Sequence, residues 1–137
     1  MALGIGTRVQ FCGQLVSADA VRAELDRADL FVLPSRQEGL PRAMIEAMAR
    51  SLPCIGSSVG GIPELLPAED LVPVNDASAL ARKIREVVGD PPRMVRMSAR
   101  NLEKAREYRY DVLSERRRGF YEHVKRATAA WLKGACV

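Results

Sequence analysis

Histidine is almost absent from this chain. His123 is the single one in 137 residues. It falls on a late helix with no nucleophile or carboxylate motif near it, so it reads as structural or surface-lying rather than as a catalytic base. Cysteine is scarce and odd in number: Cys12, Cys54 and Cys136. That reads as buried thiols in a reducing compartment rather than a disulfide frame, with Cys12 and Cys54 on expected strands and Cys136 in the tail. No Cys/His spacing suggests a metal, and none is expected. Aromatic residues make up 5% of the chain, too few for base-stacking platforms, and nucleic acid is disfavoured as a partner. No apolar run reaches the roughly 18 residues of a membrane span, and no basic stretch followed by an apolar segment marks a signal peptide. No internal repeat or low-complexity tract is present. The expectation is one soluble, cytoplasmic domain by length, with enough apolar residues for a core.

Negative charge is short in one half of the chain and positive charge in the other. Residues 1–80 hold six Arg and ten Asp/Glu, a net of −4, whereas residues 81–137 hold fifteen Lys/Arg and seven Asp/Glu, a net of +8. The basic half reads as three helices, Ala77–Val88, about Pro92–Arg106 and about Val112–Leu132. Gly89-Asp90-Pro91-Pro92 and Tyr108-Arg109-Tyr110-Asp111 break them apart. Arg93, Arg96 and Arg100 share a face, and Arg116-Arg117-Arg118 spread around theirs. Interleaved Glu103, Glu107, Glu115 and Glu122 favour a solvated, salt-bridged surface. The functional alternative is peripheral contact with an anionic membrane, at its inner face.

What is present is concentrated in Glu38-Gly39-Leu40-Pro41-Arg42-Ala43-Met44-Ile45-Glu46. Pro41 suits a first helical residue, so a helix is expected from there to about Ser51. Glu38 then lies in the loop before the helix mouth and Glu46 in the second turn. Free N–H groups at a helix mouth attract anions. Carboxylates on either side are acceptors for sugar hydroxyls. The combination suits a nucleotide sugar. The alternative is a surface ion ladder, since Arg42, Glu46 and Arg50 are spaced four apart. Against it, Ala43-Met44-Ile45 and Ala47-Met48-Ala49 make the helix apolar nearly all round. That predicts burial on more than one side and a partner for Glu46. Spacing alone leaves the two readings level.

The surroundings favour the site. Strands are expected near Val9–Cys12, Leu30–Leu33, Cys54–Ser57 and Leu71–Val74, with a helix at Ala18–Arg27. Strand, loop, helix, strand and a Gly-rich turn is a parallel α/β pattern, in which ligands bind beyond the carboxyl ends of the strands. The Glu38 loop and the Gly60-Gly61 turn both follow strands and should open on one edge. Asp76 or Asn75 reads as a helix N-cap, and Glu64 as a structural residue at a short helix start.

The stretch ADLFVLPSRQEGLPRAMIEAMARSLPCIGSSVGGIPELL resembles the C-terminal, donor-binding domain of the retaining group 1 (family 4) glycosyltransferases, of two-domain GT-B architecture. The resemblance covers roughly residues 8–125, with 126–137 a helical tail, so that 1–137 reads as a partial nucleotide-sugar-binding domain. It implies an α/β fold with a partial, doubly wound, Rossmann-like parallel sheet. It implies a nucleotide diphosphate sugar as donor, no cofactor and no metal. By resemblance Glu38 contacts the donor sugar and Glu46 the ribose hydroxyls, the two forming the catalytic pair. Gly39, Leu40, Arg42, Gly60 and Gly61 line the phosphate and donor. Gln14 and Leu15 lie against the base, mostly through backbone groups. The sugar, base and acceptor are not told.

The family's acceptor domain, the first two strands of the donor domain and the basic residues that grip the diphosphate are not found in these residues. The resemblance therefore implies glycosyl transfer for a complete enzyme, with this chain alone expected to be inactive. The alternatives are a non-catalytic nucleotide-sugar-binding partner subunit and an interaction domain. In the family's strand order, 3-2-1-4-5-6, the four expected strands are the third to sixth, which leaves a gap beside the fourth. Self-association or the missing N-terminal domain is the expected filler, with direct pairing of the third strand to the fourth as the alternative.

Overall fold

The structure, a computed structural model, describes residues 4–134. In chain order the elements are α1 (Ala18–Asp26), β1 (Phe31–Leu33), α2 (Arg42–Ala49), β2 (Cys54–Ser57), the single turn α3 (Ile62–Leu65), β3 (Leu71–Val72), α4 (Ala77–Val88), α5 (Pro91–Arg106) and α6 (Tyr110–Gly134). Short 3₁₀ turns precede α1 and β3, at Gly6–Arg8 and Ala68–Asp70. The sheet is parallel in the order β1-β2-β3, with Phe31 opposite Cys54 and Gly56 opposite Leu71.

Strand β2 is buried at all four positions. Its side chains alternate between two cores, as strand geometry demands. Cys54 enters one with Met44, Ala47, Met48, Ile62 and Leu65, beneath α2 and α3. Ile55 enters the other with Val72, Val87 and Met97, beneath α4 and α5. Helix α5 serves both sides, because Ala105 near its end reaches the first core. The result is helices on both faces of a parallel sheet.

Polar side chains start most of the longer helices. Ser17 accepts from the Ala20 N–H at 3.1 Å, Asp76 from Ala79 at 2.7 Å and Asp90 from Arg93 at 2.9 Å. Asp76, not Asn75, is thus the cap of α4. Asn75 instead takes a φ of 62°, in the left-handed region.

Two expectations fail. Residues 9–16 form no strand, Phe11 and Val16 are 94% and 92% exposed, and Cys12 is exposed rather than buried as Cys54 is, while Cys136 lies outside the described residues. Their expected sheet neighbours are not among the described residues, and a lone short strand does not hold in water. The direct pairing of this stretch with β1 is therefore absent, and no strand among the described residues covers the outer edge of β1. Pro41 is also not the first helical residue. Its ψ of 108° is extended, and it caps α2 through its carbonyl, which accepts from the Ile45 N–H at 3.3 Å.

A buried carboxylate ties α5 to the sheet. Asp70 is fully buried just before β3 and takes Arg93 on one oxygen, at 2.9 Å, and Arg100 on the other. Arg93 also bonds Glu86 and the Glu69 carbonyl. Arg93 and Arg100 are therefore tertiary clamps rather than a free basic patch. Beside them the buried Asn101 amide donates to the Leu52 carbonyl at 2.9 Å. Replacing Asp70 by Ala leaves both guanidinium groups without their central partner. A loss of about 3–5 kcal/mol in urea-unfolding free energy is expected.

Burial pushes the Cys54 thiol up to about 12 from its ordinary 9.0, against weaker opposing effects of Asn101 and Arg100. Between those values the unfolded chain releases this proton and the folded chain keeps it, so stability falls as pH rises. From about pH 9 upward, wild type should lose roughly 1.4 kcal/mol more per pH unit than Cys54→Ala. Urea titrations of both proteins across that range check the difference.

Candidate functional site

The β1–α2 loop and the β2–α3 turn meet backbone to backbone. The Gly61 N–H donates to the Gly39 carbonyl at 2.8 Å. Gly60 has a φ of 54°, and a Cβ there would lie 2.0 Å from the Glu38 carbonyl oxygen. A Cβ on Gly61 would lie 2.7 Å from the Gly39 carbonyl oxygen. Only a pair of glycines permits this approach. The two loops thus do open on one edge. The glycines act first by holding the Glu38 loop, and the Gly61 N–H is committed to it.

The loop leads into the bare mouth of α2. No side chain caps this helix. The N–H groups of Gly39, Leu40, Arg42 and Ala43 have no acceptor among the described residues. Glu38 is half-buried, and its Oε1 accepts from the Ser35 hydroxyl at 2.6 Å. Glu46 is exposed and has no ion-pair or hydrogen-bond partner among the described residues. The ion ladder does not form: Arg50 turns away to Asp26, with its Nε 2.5 Å from Oδ1. Burial of α2 on more than one side also fails. Met44, Ala47 and Met48 are buried, but Ala43 and Ala49 stay exposed with Arg42 and Glu46. The helix packs against α5 and the sheet on one side, and nothing among the described residues covers the other.

Gln14 is exposed and Leu15 half-buried, in the irregular stretch before α1. No hydrogen bond joins either to the Glu38 loop. Ser35 belongs to the Pro-Ser strand end that the motif includes, but its hydrogen bond to Glu38 carries no sequence signal. One feature escaped the motif reading, a cleft of about 530 Å³ at the carboxyl ends of all three strands, lined by Arg36, Ser57, Val72, Asn75 and Asp76. The general rule for ligand position in parallel sheets was its only signal. Helix α6 exposes Phe120, Tyr121 and Trp131, and no helix of the described residues is long and apolar enough to cross a membrane.

Gly60→Ala should displace the Glu38 loop and lower stability by about 1–3 kcal/mol, because both the φ and the space forbid a Cβ. Gly39→Ala, where a Cβ meets nothing within 4 Å, should stay within about 0.5 kcal/mol of wild type. Urea unfolding of both variants, with amide chemical shifts of Gly39 and Leu40 in Gly60→Ala, tests the contrast.

Comparison with known proteins agrees with this architecture. Residues 1–90 match the family described as Glycosyl transferases group 1. A curated relative is the putative colanic acid biosynthesis glycosyltransferase WcaL of Escherichia coli K12, 47% identical over 73 residues, which are 47% of this chain and 18% of that protein. The N-acetyl-alpha-D-glucosaminyl L-malate synthase of Bacillus anthracis is 36% identical over 112 residues, 80% of this chain and 28% of its own length. The chain therefore spans well under half the length of these relatives. Among solved structures, sucrose-phosphate synthase from Thermosynechococcus elongatus superposes with a TM-score of 0.80 and 30% identity, covering 90% of this chain and 32% of the other. With its Rossmann-like parallel sheet, a family match over residues 1–90 and neighbours of GT-B architecture, this chain belongs to the group 1 glycosyl transferases, of which it represents a C-terminal-like portion.

Proposed function

We propose that the α2 mouth is the donor site of a retaining transferase that uses a nucleotide diphosphate sugar. The observation that carries this is the uncapped helix end, with four N–H groups lacking acceptors and a carboxylate on either side. Every other long helix up to α5 is closed by its own Ser or Asp. The diphosphate takes the N–H groups of Gly39, Leu40 and Arg42, aided by the macrodipole. The exposed Arg42 side chain adds charge there. Glu38 accepts from hydroxyls of the donor sugar, Glu46 from the ribose, and the Gln14–Leu15 backbone faces the base.

The chemistry follows from the charge that moves. As the glycosidic bond breaks, negative charge grows on the phosphate oxygens of the leaving diphosphate. Fixed N–H donors aimed at those oxygens stabilise the transition state more than the ground state. A carboxylate holding the sugar sets its angle to the incoming acceptor, which is an orientation effect.

Isothermal titration with a panel of nucleoside diphosphates and their sugars tests the assignment. Glu46→Gln should weaken a plain nucleoside diphosphate by about 1.5–3 kcal/mol, and Glu38→Gln should barely change it, because that ligand has no sugar to contact. Equal and small losses in the two variants would return Glu46 to a purely surface role.

A further inference from the structure

Among the described residues, the carboxylate of Glu38 is held by one group. The Ser35 hydroxyl donates to its Oε1 at 2.6 Å, within the range of a charge-assisted O–H···O bond. Both residues are half-buried, and Oε2 has no partner among the described residues. The backbone beneath is fixed independently. Gly60 closes on the Glu38 carbonyl, and the Gly61 N–H holds the Gly39 carbonyl at 2.8 Å. One oxygen is thus engaged from the strand side, the main chain is clamped from the next loop, and the second oxygen is left to accept.

We infer that Ser35 is a positioning residue: its hydroxyl sets the rotamer of Glu38 so that Oε2 faces a hydroxyl of the donor sugar. The inference rests on the reading of Glu38 as the donor-sugar contact. An ionised carboxylate only accepts, and its two oxygens point about 120° apart, so pinning one aims the other. Without the pin, Glu38 carries several rotatable bonds into a half-open loop, and fixing them on binding costs entropy. Ser35 lies two residues beyond the end of β1, with Pro34 between them, so the pin itself stands on the sheet. A serine that merely shaped the loop would support every ligand of the α2 mouth alike. A serine that aims Glu38 supports only ligands that carry the sugar.

The test compares the affinity of a nucleotide sugar with that of its plain nucleoside diphosphate, by calorimetry, for wild type, Ser35→Ala, Ser35→Thr and Glu38→Gln. Wild type should bind the nucleotide sugar more tightly. Ser35→Ala should lose about tenfold in affinity for the nucleotide sugar and less than about twofold for the nucleoside diphosphate. Ser35→Thr, which keeps the hydroxyl, should recover most of the loss. Equal losses for the two ligands in Ser35→Ala would overturn the inference and make the serine a loop-shaping residue. So would an unchanged Ser35→Ala in the presence of a Glu38→Gln that loses its sugar preference. A sugar preference unaltered in Glu38→Gln, or absent from wild type, would instead overturn the reading of Glu38 itself, and the role of Ser35 with it.

Discussion

Strand β2 has no face to give to water, and most of the fold follows from that. With Cys54 on one side and Ile55 on the other, it must be covered by helices twice. A three-stranded parallel sheet is small, so each covering element is indispensable. Helix α2 lies on the Cys54 side with Met44 and Met48, and α5 crosses to meet both cores. The loop at the carboxyl end of β1 then has little choice of position. It must enter α2 at the mouth, directly beside the turn that leaves β2. Two short connections converge there at backbone distance, and glycines occupy the point of contact.

That convergence sets the character of the site. Most of its polar groups are main-chain N–H groups, fixed by the packing beneath rather than by side-chain rotamers. Such groups cost little reorganisation when charge develops. The side chains added to them sit at different depths. Glu38 is half-buried and anchored to Ser35, whereas Glu46 is exposed and unpaired among the described residues. The exposed stripe of α2, with Arg42, Ala43, Glu46 and Ala49, is less polar than an ordinary solvated face.

Electrostatics on the far side of the sheet follows a different logic. Asp70 is out of reach of water and draws Arg93 and Arg100 inward from α5. An isolated buried carboxylate would be costly, so the two arginines are structural partners of the core. The basic surplus of the second half of the sequence is thereby partly spent on tertiary ion pairs. Six of the thirteen remaining cations of that half lie on α6, of which no residue is buried.

Local chemistry made much of this legible. The α4 boundaries, the Asp76 cap, the strand at Cys54–Ser57 and the open helix mouth after Glu38 are set by Pro, Gly, Asp and short apolar runs. Each of these acts within a few residues. What depended on distant partners was not legible. Val9–Cys12 has the composition of a strand but finds no neighbour among the described residues, so no ladder forms. The alanines of α2 look internal, yet the sheet and α5 cover only one side of that helix. Arg50 matches Glu46 in spacing, but Asp26, far away in sequence, takes it. Arg93 and Arg100 read as surface charge until the fold buries Asp70 between them. Gly60 and Gly61 could be recognised as a turn, but their backbone contact with Glu38 and Gly39 could not. Propensity and capping are properties of neighbouring residues. Pairing, burial and close approach are properties of the whole chain, decided only when segments separated in sequence come to share one surface.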